Sequence, residues 1–563
     1  MVSILAFVVL LGVLITAHEL GHFVVAKLSG VKVETFSIGF GPPIVSFTRG
    51  DTEYRLAWIP LGGYVRMLGM DPGGGAGEGM ARPTGEVPPE DVGRGLLDKP
   101  PFVRMLIASA GPAMNLLLPL LLLWPFILLS DRFDEVPGNQ VGAVDEGLPA
   151  WRAGMREGDT IVAIDGHPID AFWQVTGRID GYAPDQGPLT ITVRRDGVAE
   201  PIDLEVTPER VEQTNKLLGF SKDYFRIGYQ HVYLAGDVAV TDPQGPAAKA
   251  GLQTFDRVVS VGGKPTPRYL DVQRALEGVP AGGTTTVVVE RDARFAEEFP
   301  FLARVDEYRL TYTGGGAPGL RHAGTCVSSV DPDSPAGAVL RRGDCILAVD
   351  GNRNSLPAFI LARLSNKPAE PKTVTVLRDG AELDVTLRQR QITLDDPLAG
   401  EIKLWQMGLV LLARSSVVPM DMVANQHRAA FAWQETVDRV FYELELTMRT
   451  LAGVFSGTVS PSQFSGPVTI FYLAGDRAKA GFDHFLHLMV VISLSIALFN
   501  LLPVPLLDGG QILVAFVELV TRRPLPERVQ VGLQWVGLLL IAALILFALG
   551  NDVVRMWRLS SMG

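Results

Sequence analysis

The chain has 563 residues, a mean hydropathy of +0.23 and a formal net charge of -11. That length calls for several domains rather than one core, and the acidic balance excludes a basic field for nucleic acid. Two cysteines, Cys326 and Cys345, exclude a disulfide scaffold and a four-cysteine zinc site.

Residues 1–28 form the first of four oily runs that reach bilayer-spanning length, roughly 20 apolar residues. A signal peptide is the competing reading. It is disfavoured because no basic residue precedes Lys27 and no Ala-x-Ala site precedes His18. Inside this run sits His18-Glu19-x-x-His22. Residues four apart share a helix face, so both imidazoles can reach one metal ion with Glu19 beside them. Ionisable groups in a span cost several kcal/mol and normally face a functional interior. Residues 29–104 follow. "GFGPPIVSFTRGDTEYRLAWIPLGGYVRML" alternates as β-hairpins do, with turns expected at "TRGDTE" and "PLGG". The alternative is a plain loop. The tract "DPGGGAGEGMARPTGEVPPEDVGRG" reads as a flexible linker. The second span, residues 105–130, opens with "MLIASAGPAMN".

The middle of the chain is a repeat. "VDEGLPAWRAGMREGDTIVAIDGHPI", "VTDPQGPAAKAGLQTFDRVVSVGGKPT" and "VDPDSPAGAVLRRGDCILAVDGNRN" share one plan. Each has a strand end, a Pro-containing turn, a short Ala-rich helix, then a strand ending in Asp-Gly or Gly-Gly. Each copy resembles a PDZ domain of the bacterial, protease-associated kind, and the resemblance gives α+β domains at 138–208, 222–303 and 305–392. PDZ domains bind extracytoplasmic peptides or chain ends by strand addition, although a copy can also be a spacer that binds nothing. Cys326 and Cys345 fall on strands of the third copy. Pairing in an oxidising compartment and two buried free thiols both remain open.

Residues 420–465 hold "HRAAFAWQETVDRVFYELELTMRTLAGVF", an amphipathic helix and linker. It either lies at the membrane or packs in the bundle. The third span, 485–520, is interrupted by Pro503, Pro505 and a Gly pair. The fourth is 529–549. Lys27, Lys32, Lys99, Arg104 and "TRRPLPER" put the loops 29–104 and 521–528 in the cytoplasm, and the termini and the repeats outside. A zinc-type site needs a third protein ligand. His167, His231 and His322 lie in the repeats, His427 in the amphipathic stretch, and His484 and His487 at the outer start of the third span. Asp508 is the better candidate. It lies as deep in one out-to-in span as His18 and His22 lie in another, and broken helices at membrane depth are tolerated where they line a site.

His18-Glu19-x-x-His22 together with Asn500-x-x-Pro503-x-Pro505-x-x-Asp508-Gly509 resembles the site-2 protease family of intramembrane zinc metalloproteases. The insert between spans two and three points to its bacterial regulator-of-sigma-E protease (RseP) branch. "FSIGFGPPIVSF", "ASAGPAMN" and "FSGPVTI" resemble that branch too. The resemblance implies a polytopic α-helical membrane protein of the bacterial inner membrane, with four transmembrane helices, a membrane-associated β-sheet and three PDZ domains. It implies zinc on His18, His22 and Asp508, with Glu19 as catalytic base. It implies substrate contacts at Asn500, Pro503 and Pro505, and strand addition to the sheet beside the metal, where Gly62 and Gly63 lie. The implied substrates are single-pass proteins trimmed outside first, either an anti-sigma factor or signal-peptide remnants. The third PDZ copy departs from the usual two. The competing readings are a catalytically silent membrane-anchored PDZ scaffold and, with less support, an ion transporter.

Overall fold

The computed structural model describes residues 2–69, 89–214, 221–292, 305–396, 400–411, 417–419, 421–456 and 466–562. The chain divides into two compact units. One comprises Met1–Asp131, Asp395–Gly400 and His427–Gly563, the other Arg132–Leu394 and Glu401–Gln426.

Among the described residues the first unit holds seven long helices: α1 (Val2–Leu28), α2 (Pro101–Leu129), α3 (Arg428–Ser456), α4 (Pro467–Ala480), α5 (Phe482–Asn500), α6 (Asp508–Thr521) and α7 (Glu527–Met562). Among the described residues four candidate spans are long and apolar enough to cross a membrane: α1, α2, α5 and residues Arg528–Val554 of α7. α2 begins at Pro101, ahead of the expected 105, because proline suits the first helical turn, where its missing N–H has no intrahelical partner. Gly21 lets α1 approach α2, since a Cβ there would lie 2.2 Å from the Ala110 carbonyl oxygen. Close approach through small residues is how helices associate where lipid removes the hydrophobic drive. Ala6, Leu10, Leu14 and Ala17 pack here with Leu118, Phe485 and Met489. α3 is the expected amphipathic helix, with Trp433 edge-on to Trp124 of α2. Its linker, 457–465, lies outside the described residues.

α4 was not expected as a separate element. It lies along α1, where Phe471 meets Phe7 edge-on. Asp552 of α7 accepts hydrogen bonds from Gly466 N (3.0 Å) and Val468 N (2.9 Å), satisfying the open amides at its start. The break expected in the third span separates α5 from α6. Leu506 takes a left-handed φ of +89° there. α6 then tucks beneath the break. A Cβ at Gly509 would lie 2.2 Å from the Leu502 carbonyl oxygen, so the residue after Asp508 must be glycine. Arg104 of α2 pairs with Glu518 of α6, both side chains being largely buried.

Between α1 and α2 lie β1 (Val33–Arg49) and β2 (Thr52–Met67). The expected turn at "TRGDTE" is present, with Arg49 opposite Thr52. The "PLGG" reversal differs from a tight hairpin. Residues 35–38 pair with 53–56 on one side, partner numbers rising together, and with 63–66 on the other, numbers running opposite. The chain therefore crosses from one flank of the 33–38 segment to the other. Long pleated runs allow this because each residue offers hydrogen-bonding groups to alternate sides. Val33, Phe36, Val65 and Met67 pack on Ala26 and Ile107. Phe47, Trp58 and Ile59 are exposed. The Gly-rich linker falls mostly on residues 70–88, outside the described residues.

The second unit contains one arrangement three times, each with its own core, built around Ile161 and Ile191, Val258 and Val287, and Ile346 and Val374. In each, a buried aspartate at a strand start takes a two-pronged arginine. These pairs are Asp159–Arg195 (2.7 and 2.8 Å), Asp256–Arg291 (2.6 and 2.7 Å) and Asp344–Arg378 (2.8 and 2.5 Å). In each, the next turn has two left-handed residues, Asp165-Gly166, Gly262-Gly263 and Asp350-Gly351, as a tight β-hairpin requires. Three expected boundaries shift. Ile227 belongs to the first core, beyond 208. Strand Val305–Thr313 pairs with Thr284–Asp292, and Tyr312 sits in the second core, so 305 does not open the third copy. The third core also takes Leu411, on strand Leu409–Leu411 beyond 392. Cys326 and Cys345 form a disulfide, which settles the open alternative.

Candidate metal centre

α1 carries His18 and His22 on successive turns of one face, and α6 presents Asp508 at its first position. The three side chains converge. His18 Nε2 lies 3.2 Å from Asp508 Oδ2 and 3.2 Å from His22 Nε2, and His22 Nε2 lies 3.4 Å from Asp508 Oδ1. Among the described residues this is the one group of three His, Cys, Asp or Glu side chains that could hold a metal ion. The fit is quantitative. A tetrahedral ion with ligands at about 2.0–2.1 Å has ligand–ligand edges of about 3.3 Å. Two neutral nitrogens and one carboxylate oxygen are also a donor set that zinc accepts.

The Nδ1 atom of His22 lies 2.7 Å from the Ile107 carbonyl oxygen of α2. That carbonyl can only accept, so Nδ1 carries the proton and Nε2 presents its lone pair to the centre. Asn115 Nδ2 lies 3.4 Å from His18 Nδ1, and Asn500 Nδ2 lies 3.5 Å from His18 Nε2.

Glu19, His22, Asp508, Val65, Met67, Arg104 and Gln511 line one narrow cleft, so the carboxylate of Glu19 and the end of β2 share a space with the ligand set. Gly63 is pressed onto this wall. A Cβ there would lie 2.8 Å from the Ser37 carbonyl oxygen and 3.4 Å from Glu19 Cγ. Gly62 faces Phe40 instead. Pro503 and Pro505 form the break, where Gly537 of α7 comes close to the Pro505 carbonyl. Asn500 is thus beside the ligand set, whereas Gly62 and the prolines shape its surroundings. Sequence reasoning used Arg104 only as a topology signal and assigned no role to Ile107, Gln511 or Asn115. For Asn115 a signal was present, in the stretch "ASAGPAMN".

Residues 6–544 match peptidase family M50. The chain is similar to a Ralstonia nicotianae protein named as a zinc metalloprotease, 29% identical over 99% of both chains. It is similar to the regulator of sigma-E protease RseP of Escherichia coli, 27% identical over 98% of both chains. It is also similar to the regulator of sigma E protease of Salmonella typhi, 26% identical over 98% of this chain and 99% of that one.

Proposed function

The chain belongs to peptidase family M50, the site-2 protease family, and we propose that it cuts peptide bonds inside the transmembrane segments of single-pass proteins. It is a membrane zinc metalloprotease. The single observation that carries the finer reading is the convergence of His18, His22 and Asp508 at 3.2–3.4 Å beside Glu19, with His18, Glu19 and His22 on a helix of spanning character.

His18, His22 and Asp508 would hold the zinc ion, which would supply Lewis-acid polarisation of the scissile carbonyl and make water a usable nucleophile near neutral pH. Glu19 takes the water's proton and returns it to the leaving amine, work worth about 10²–10⁴-fold in rate for a well-placed acid–base group. Asn500, within 3.5 Å of His18, offers an amide to the peptide backbone or to the developing oxyanion.

A substrate helix hides its peptide bonds in its own hydrogen-bond ladder and must unwind first. Its freed backbone groups then cost several kcal/mol each in lipid unless they find partners. The 63–67 end of β2 supplies a strand beside Glu19 for that purpose, and Gly63 leaves room for a backbone to approach. In this reading the protein sits in the bacterial inner membrane with the metal toward the cytoplasm. The three repeats act as extracytoplasmic PDZ domains that keep out substrates with bulky outer domains until another protease trims them. Anti-sigma factors and signal-peptide remnants both fit.

The test reconstitutes the enzyme in liposomes with one single-span substrate in two forms, with and without its folded outer domain. Cleavage within the span of the trimmed form alone is expected. Equal cleavage of both would overturn the size filter, and cleavage only outside the span would overturn the intramembrane reaction.

A further inference from the structure

The two histidines differ in what holds them. The His22 Nδ1 proton has a fixed acceptor in the Ile107 carbonyl. Among the described residues His18 Nδ1 faces Asn115 alone, with the amide nitrogen at 3.4 Å. The Oδ1 atom of Asn115 is meanwhile buried with no hydrogen-bond partner among the described residues. Asn115 itself is 0% exposed. This arrangement is chemically inconsistent with a metal on His18. If Nδ2 donated to Nδ1, the imidazole proton would sit on Nε2, the atom that faces Asp508 and His22. A neutral imidazole carries one proton, and a metal needs the bare nitrogen. The amide oxygen and nitrogen of an asparagine are distinguished by their hydrogen bonds. Turning the Asn115 amide by 180° cures both faults together: Oδ1 gains a partner, and His18 Nδ1–H gains an acceptor.

The backbone around Asn115 is built to hold that register. Pro119 has no N–H, so the Asn115 carbonyl loses its helical donor four residues on. The hydroxyl of Ser493, buried on α5, donates to that carbonyl at 2.8 Å. One turn earlier, Gly111 clears the space the rings occupy. A Cβ there would lie 2.3 Å from His22 Nε2 and 2.8 Å from His18 Cε1. The 111–115 turn of α2 therefore forms the back wall of the metal site.

We propose that Asn115 is a positioning residue of the metal centre, its Oδ1 accepting the Nδ1 proton of His18 and so fixing the tautomer that leaves Nε2 free for zinc. This rests on the reading of His18, His22 and Asp508 as the ligand set. Partners of this kind orient ligands, and their loss costs about 10–100-fold in metal affinity.

The test uses full-length protein in detergent and measures zinc release against a graded chelator, with the absorption spectrum of the cobalt-substituted protein as a second readout. Asn115→Asp keeps an acceptor oxygen and removes the donor, whereas Asn115→Leu removes both at similar size. N115D is expected to hold zinc at least as tightly as wild type, with the wild-type cobalt spectrum. N115L is expected to release zinc at a chelator level about 10–100-fold lower. If N115L does not fold, N115D alone decides, because a role for the Nδ2 donor predicts loss of zinc and a role for Oδ1 predicts retention. Zinc release from N115D as easy as that expected of N115L, or wild-type retention by N115L, overturns the proposal. Absence of zinc from the wild type would instead overturn the ligand set beneath it.

Discussion

His18 Nε2 stands 3.2 Å from Asp508 Oδ2, although one residue belongs to the first helix and the other opens the helix after the break. The centre therefore exists only when the two ends of the chain are packed together. Asp508→Ala should leave the helices in place and remove one of the three proposed ligands. The expected loss of zinc affinity exceeds the ~10–100-fold typical of an outer partner. Metal analysis after chelator dialysis checks this, and retention of zinc by folded Asp508→Ala would show that another group serves.

Arg104 and Glu518 form a pair that joins α2 to α6, the helix that begins with Asp508. Removing one partner of a buried pair leaves an uncompensated charge, at a cost of about 3–5 kcal/mol. Arg104→Ala should lower thermal stability in detergent by that order and loosen zinc. The double variant R104M/E518M should recover most of the stability, because two apolar side chains leave no charge behind. An R104A protein as stable as wild type would contradict this.

Gly63 lies where a Cβ would meet the Ser37 carbonyl at 2.8 Å and Glu19 Cγ at 3.4 Å. Gly63→Val should push the strand off α1 at Glu19, the proposed base, while leaving the three proposed ligands alone. A misplacement of about 1 Å can cost on the order of 100-fold in rate. Peptidase assays with parallel zinc analysis should show activity lost and metal kept. Loss of both together would indicate a folding defect.

His322 is buried in the second repeat, where burial pushes its pKa down to about 4. The unfolded chain takes up a proton near pH 6.5 that the folded chain refuses until about 4. The stability this neutral imidazole contributes is therefore present above about 6.5 and is lost as pH falls toward 4, by up to roughly 3 kcal/mol. Urea unfolding of the second unit's tryptophan signal at stepped pH should show that slope. His322→Asn, which keeps an acceptor for the Gly324 amide bonded to Nδ1, should flatten it. An equal slope in both proteins would place the titration elsewhere.

Much of the centre was legible in the sequence because its signals are local. The spacing of His18 and His22 sets a helix face, and the prolines and glycines around Asp508 break a span at matching depth. What escaped is tertiary. The stretch "ASAGPAMN" marks Asn115, but it does not say that Asn115 meets His18, or that Ile107 offers its carbonyl to His22. The second reversal of the sheet was misjudged because "PLGG" has turn composition, while its strands pair on opposite flanks of 33–38. Repeat boundaries fell early because the motifs mark where each repeat opens, and the closing strands, such as Val305–Thr313, carry no motif. The disulfide could not be chosen over free thiols without the strand contact that brings Cys326 opposite Cys345.

The central claim is that Glu19 moves the proton in a zinc-dependent cut within a membrane span. The most direct measurement compares wild type with Glu19→Gln on a short single-span substrate lacking its outer domain, following products by mass spectrometry and zinc by metal analysis. Both proteins should carry zinc, and only wild type should yield products cut inside the span. Equal cleavage by zinc-loaded Glu19→Gln would contradict the account.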